Sequence, residues 1–297
     1  MFYIVSLLVC SFTFAVEFNF ESNLIPVYKN GELLSNPFFG GYNKPKVQWI
    51  DWDLDGQDDL FLLDEDGYIR YIHNTSSPGS LSFELISANY FDLYAGGWYF
   101  LNDFDSDGDF DLITQNSDDL SQLSYYQNNS NTFTYLGVIY LNSGDEVYSD
   151  PVMTPTFTDI DNDGDLDFFT CNYAGTVTYY DNVSLNDSNI PVFEYITNYW
   201  QEIYIVGPSQ RHGASAINFI DLDGDNDFDL TWGDYFQQSL YVIWNIGNQN
   251  EPNMNTDNVT LEFPPNDPVL TAGQNMPSFT DIDNDNDYDL FITVLSG

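Results

Sequence analysis

Residues 157–182 read FTDIDNDGDLDFFTCNYAGTVTYYDN, and this stretch decides the fold. An acidic loop, D-x-D-x-D-G-x-x-D, runs from Asp159 to Asp167. It is followed by the apolar run DFFTC, a turn, and an aromatic strand ending on Asn182. Outward from this stretch the same order recurs. Acidic loops begin at Asp51, Asp103, Asp159, Asp221 and Asp281, 52 to 62 residues apart. Ahead of them lie KVQWI, GWYFLN, TPTFT, SAINFI and MPSFT; behind them lie DLFLL, DLITQ, DFFTC, DLTWG and DLFIT. Aromatic strands ending on Asn74, Asn128, Asn182 and Asn245 follow, and several units add a further strand such as FELIS or FEYIT.

Period-two alternation and enrichment in Tyr, Phe, Ile and Val predict strands, and no segment keeps a long 3.6-residue period. The chain therefore reads as all-β. Units of about four short strands, repeated five times, suggest propeller blades, because one blade cannot bury both faces of its sheet and stacked neighbours can. The expected organisation is a signal peptide over residues 1–15 and a propeller over 16–297, its last blade incomplete because the sequence stops at DLFITVLSG. Trp49, Trp98, Tyr179 and Trp244 recur in register with the repeat, as packing between blades requires.

The loops carry the chemistry. Calcium takes six to eight hard oxygen ligands at about 2.3–2.6 Å in a flexible shell. Acids at positions 1, 3 and 5 can all point inward from one tight turn. Position 6 must turn sharply; Gly56, Gly108 and Gly164 do so without cost, and Asn226 and Asn286 are the next-best tolerated. Position 7 offers its backbone carbonyl and position 9 another Asp. The candidate sets are thus Asp51, Asp53, Asp55, Gln57 and Asp59; Asp103, Asp105, Asp107, Asp109 and Asp111; Asp159, Asp161, Asp163, Asp165 and Asp167; Asp221, Asp223, Asp225, Asp227 and Asp229; and Asp281, Asp283, Asp285, Asp287 and Asp289. They are not EF-hands, because position 12 holds Leu62, Thr114, Thr170, Trp232 and Ile292 where an EF-hand needs a bidentate Glu. Four or five carboxylates within nine residues repel one another without a cation, and five loops share one register of acids. Magnesium fits less well, since it demands stricter octahedral geometry.

Residues 157–182 and their echoes in the other units resemble the FG-GAP repeat family, including its VCBS variety, whose best-known members are the calcium-binding blades of integrin alpha subunits. The resemblance covers about residues 38–297. It implies a β-propeller, commonly of seven blades, on secreted or surface proteins that serve adhesion, ligand recognition or glycan binding. Some fungal lectins and polysaccharide lyases use related propellers. Five units are recognisable here, so two readings of the ending stand: a fragment of an incomplete seven-bladed ring, or a smaller ring whose last blade is completed by N-terminal strands around VEFNFESNLIPVYKNGELLS.

Charge narrows the partners. Five Lys and Arg against 47 Asp and Glu give a formal net charge of −42, which repels nucleic acid and anionic membranes and attracts metal cations. The apolar run Phe2–Phe14, with small residues ahead of a cleavage point after Ala15, reads as a secretory signal, and no later segment is a candidate span. Cys10 would leave with that signal, so Cys171 has no internal disulfide partner and reads as a small buried residue. Sequons occur at Asn74, Asn128, Asn182, Asn186 and Asn258, three of them at the strand-ending Asn of the repeat. Arg211 and His212 form the only adjacent cationic pair. No catalytic triad spacing, zinc motif or nucleotide-binding loop is present. The expected function is a secreted, calcium-binding recognition module for an extracellular protein or glycan. The alternatives are a propeller-based polysaccharide lyase or hydrolase, and a purely structural repeat domain.

Overall fold

The computed structural model describes residues 26–33, 40–77, 79–130, 132–172, 174–205 and 214–295. The expected signal segment, the Arg211–His212 pair and most of the N-terminal strand region lie outside these residues. Residues up to Phe39 form a unit separate from Gly40–Gly297, and its described part is a short antiparallel hairpin, Tyr28–Lys29 with Glu32–Leu33. Among the described residues no helix is long and apolar enough to cross a membrane. One 3-10 turn, Trp200–Glu202, is the only helical element among the described residues.

The second unit is all-β, a propeller of small antiparallel sheets. The first blade pairs Lys46–Ile50, Asp59–Leu63, Ile69–Asn74 and Phe83–Ser87 in chain order. The second pairs Tyr99–Asn102, Asp111–Gln115, Leu123–Asn128 and Phe133–Val138 in the same way. In the third, Thr156–Thr158, Asp167–Cys171, Val177–Leu185 and Pro191–Thr197 are joined by Tyr140–Leu141, which lies parallel to Pro191–Thr197 and covers that outer edge. The fourth has three described strands, Ala214–Ile220, Asp229–Asp234 and Leu240–Ile243; the fifth has two, Asn275–Thr280 and Asp289–Val294.

The acidic loop is always the connection between a blade's first and second strands. The second strand is the buried one: Asp111–Gln115, Asp167–Cys171 and Asp229–Asp234 are buried at every position. That is why these strands read as apolar runs rather than alternations.

Each core cluster spans two blades. Phe61, Tyr71, Tyr99 and Leu101 join the first to the second. Trp98, Phe104, Phe157 and Phe168 join the second to the third, and Phe169, Trp200, Phe219 and Trp232 the third to the fourth. Trp98 and Trp232 are 1% and 0% exposed, and Tyr179 stacks on Phe169 at 4.8 Å between centroids. Cys171 is free and buried in the third cluster's sheet, as expected. Two further seams are polar. Buried Asn275 donates through Nδ2 to the carbonyls of Gln237, Gln238 and Ser239, tying the fifth blade to the fourth. Gln48 bonds both Leu101 N–H and Leu101 C=O through its amide, at 2.8 and 2.7 Å, and so stands in for a strand partner between the first two inner strands.

The circle closes. Trp49 of the first blade packs on Phe291 of the fifth at 4.7 Å, and the Thr280 hydroxyl donates to Asp58 at 2.6 Å. First strands from all five sheets line one axial cavity. Five sheets therefore bring first and last into contact, without the seven blades common in the resembled family and without a described N-terminal strand in the fifth.

Candidate metal centres

All five acidic loops fold alike. The position 1 carboxylate folds back on its own loop: in the first loop Asp51 accepts the Asp55 and Gly56 N–H groups, both at 3.0 Å. Asp103, Asp159, Asp221 and Asp281 accept the matching pairs of N–H groups in their loops. Position 5 then accepts the N–H of position 7, for example Asp107 from Asp109 at 2.9 Å. These bonds fix each turn from within the nine residues.

Position 6 has positive φ throughout: 91°, 94° and 100° at Gly56, Gly108 and Gly164, and 72° and 70° at Asn226 and Asn286. Position 4 is left-handed as well, at Leu54, Ser106, Asn162, Gly224 and Asn284. The sequence reading missed this second requirement. The signal was the Asn, Gly and Ser at four of the five positions, with Leu54 as the exception. Leu54 is exposed and strained at φ 61°. Since the left-handed region costs an ordinary L-residue about 1–2 kcal/mol and Asn less, Leu54→Asn is expected to raise stability by about 0.5–1 kcal/mol in urea unfolding.

Position 9 lies under the loop and is buried in the first four loops, and half-buried at Asp289 in the fifth. Asp59, Asp111, Asp167 and Asp229 are each at most 1% exposed. Their Oδ1 atoms accept the backbone N–H of Asn74, Asn128, Asn182 and Asn245, the strand-ending Asn of each repeat, at 2.7–3.0 Å. In return Asn74, Asn128 and Asn182 donate their side-chain amides to the carbonyls at position 8, Asp58, Phe110 and Leu166. This pair of bonds explains why the repeat ends on Asn. It also takes the amides of these three sequons out of reach of a glycan, while Asn186 and Asn258 are exposed.

Ligand-type atoms converge to within 4.8 Å of one another in each loop: Asp53, Asp55 and His73; Asp103, Asp105 and Asp111; Asp159, Asp161 and Asp163; Asp221, Asp223 and Asp225; Asp281, Asp283 and Asp285. Oxygens held at 2.3–2.6 Å from one ion lie at most about 5 Å apart, so the spacing fits a calcium shell. The third loop gives the sharpest test. Asp161 Oδ1 and Asp165 Oδ1 are buried with no hydrogen-bond donor among the described residues, as is Asp227 Oδ1 in the fourth. A buried carboxylate oxygen without a donor is costly unless a cation meets it. The hard-oxygen sets fit calcium.

A residue on the third strand, just before the repeat Asn, also reaches the first three loops. His73 Nε2 lies 3.2 Å from Asp53 Oδ2, and Gln127 donates to Asp105 at 2.6 Å. Burial first, then the charges of Asp163 and of Asp181 on that strand, raises the pKa of Asp161 and Asp165. These positions escaped the sequence reading because they fall outside the nine-residue motif.

The electrostatics follow from crowding. Burial first, then neighbouring carboxylates, pushes Asp165 up to about 7, and burial pushes Asp167 up to about 8 and Asp111 to about 6. Asp227 and Asp229 also rise to about 6. An acid whose folded pKa is raised holds its proton longer folded than unfolded, so folding loses stability as pH climbs from about 4 to the folded pKa. The metal-free protein is therefore expected to melt higher at pH 5 than at pH 8. Saturating calcium, which needs the deprotonated carboxylates, removes or reverses that slope. Differential scanning calorimetry in EGTA and in calcium reads both.

Residues 103–170 match the FG-GAP-like repeat family, a span that begins on the first acid of the second loop and ends just past the third loop. This span is an FG-GAP-like repeat. Its match covers one pitch of the repeat, and the propeller extends the same unit across the other blades. The chain is also similar to a solved lectin of Agrocybe aegerita, described as recognising non-reducing terminal N-acetylglucosamine. The two are 15% identical over 84% of this chain and 74% of that one, with a TM-score of 0.39. No curated protein matches it.

Proposed function

We propose that this FG-GAP propeller is an extracellular recognition module for a protein or glycan, held in shape by one calcium ion in each acidic loop. The observation that carries the calcium part is the Asp161 oxygen, buried without a donor and converging with Asp159 and Asp163. Positions 1, 3 and 5 supply carboxylates, position 7 its carbonyl and position 9 its free lone pairs, with His73 beside the first set. Bound calcium supplies charge neutralisation and a fixed loop shape. The protein's own residues do the rest: position 1 sets the turn, position 9 clamps it to the third strand, and the blades hold the loops around one ring.

Work outside the cell fits a signal at residues 1–15 and the concentration range of extracellular calcium sites, about 10⁻⁴–10⁻³ M. Recognition fits a rigid ring that carries no catalytic motif. A glycan array and a pull-down from extracellular extract, each run with calcium and with EGTA, test the reading. Capture of a ligand that is lost in EGTA supports it. Absence of any ligand in the calcium-loaded state counts against it.

A further inference from the structure

The ring has two unlike ends. Every acidic loop follows the C-terminal end of an inner strand. At the opposite end, the N-terminal ends of those strands surround a cavity of about 350 Å³. Lys44, Lys46, Pro151, Met153, Tyr235 and Gln274 are among its lining, so segments from around the whole ring converge on it. The chain has only five Lys and Arg in all, and two of them meet at this mouth.

The two lysines differ. Lys44 is paired with Glu65 at 2.8 Å, and its backbone N–H goes to Asp64. Lys46 has no ion pair or hydrogen bond from its ammonium among the described residues. It also lines the axial cavity that the inner strands enclose, so its side chain stands where the two cavities meet. Desolvation, with the Lys44 charge adding to it, pushes its ammonium down to about 8. An ammonium desolvated with no ion pair, and only partly offset by the charge of Asp64, is a cost that folding alone does not explain. An inner strand of five residues puts about 17 Å between this mouth and the acidic loops. The loop carboxylates thus lie at the far end of the strand, and nearby Asp64 and Glu65 are engaged with Lys44 and Asn43.

We propose that this mouth of the ring is a binding site for a small organic carboxylate, with Lys46 as its charge partner and the Pro151, Met153 and Tyr235 side as its apolar wall. The cavity is at the lower end of ligand pocket sizes and takes one sugar acid or one acidic residue. The site does not depend on the calcium assignment.

The test uses the whole chain in calcium and saturation-transfer NMR, with D-glucuronate and N-acetylglutamate as carboxylate probes and D-glucose as the neutral control. At least one carboxylate is expected to bind in the millimolar range or tighter, with glucose at least tenfold weaker; the tighter carboxylate names the source. Lys46→Met should abolish that binding while melting at or above the wild-type temperature, because it removes a desolvated charge. Lys46→Arg should retain part of the binding. Carboxylate binding that survives Lys46→Met, which is what attachment to loop-bound calcium gives, overturns the proposal. So does equal binding of glucose and both acids.

Discussion

Chelation of calcium is expected to lower the melting temperature of this protein by on the order of 20 °C. A ligand bound only by the folded state stabilises it by RT ln(1 + [L]/Kd), about 2 kcal/mol per site at twentyfold excess. Five independent loops then contribute on the order of 9 kcal/mol, comparable to the whole stability of an ordinary domain. For a unit of this size each kcal/mol moves the melting temperature by about 2–4 °C. The physical source is visible in the loops. Without a cation, each turn holds its ligand-type atoms converged within 4.8 Å, and burial first, then neighbouring carboxylates, raises the pKa of Asp165 and Asp227. A thermal melt with millimolar calcium, repeated in excess EGTA, reads the difference. A melting curve that does not move removes calcium from the account of stability.

Asp111→Ala is expected to cost about 3–5 kcal/mol even in EGTA, where no metal contributes. Asp111 is fully buried. It accepts the Tyr125 hydroxyl at 2.6 Å, the Asn128 N–H at 2.9 Å and the Phe104 N–H at 3.3 Å. Truncation leaves three donors from three parts of the blade without an acceptor. Asp111→Asn keeps the volume and one oxygen, and the Tyr125 hydroxyl can turn to accept from the new amide, so it should cost only about 1–2 kcal/mol. Urea unfolding of both variants in EGTA separates this clamp from metal binding. If alanine costs under about 1 kcal/mol there, position 9 serves the metal alone.

The blades were legible in the sequence because three signals agree in the first four units, and two of them in the fifth: the alternating acids, the apolar second strand and the aromatic strand ending on Asn. Position 6 was legible because Gly and Asn are what a left-handed residue selects. The seams were less so. Gln48 and Asn275 sit in strands that read as ordinary alternation, yet their amides replace backbone partners across blades. Closure between Trp49 and Phe291 joins residues more than 200 positions apart, which no local pattern encodes. At the loops, the acids were found by register alone. The clamp under them needed Asn128 and its counterparts, one blade strand away. Likewise His73, Gln127 and Asp181 approach only when the third strand is laid beside the loop. No local pattern marks Lys46, the first residue of its strand; only the ring shows that its end of the strand is the mouth of a cavity.

The central claim is one calcium ion per loop, and counting the ions tests it most directly. Metal-free protein is dialysed to equilibrium against millimolar calcium with magnesium in excess, and bound calcium is measured by atomic emission. The account predicts close to five calcium ions per chain, falling by about one when Asp159, Asp161 and Asp163 of the third loop are changed together to Asn. Zero calcium bound, or full displacement by magnesium, contradicts it.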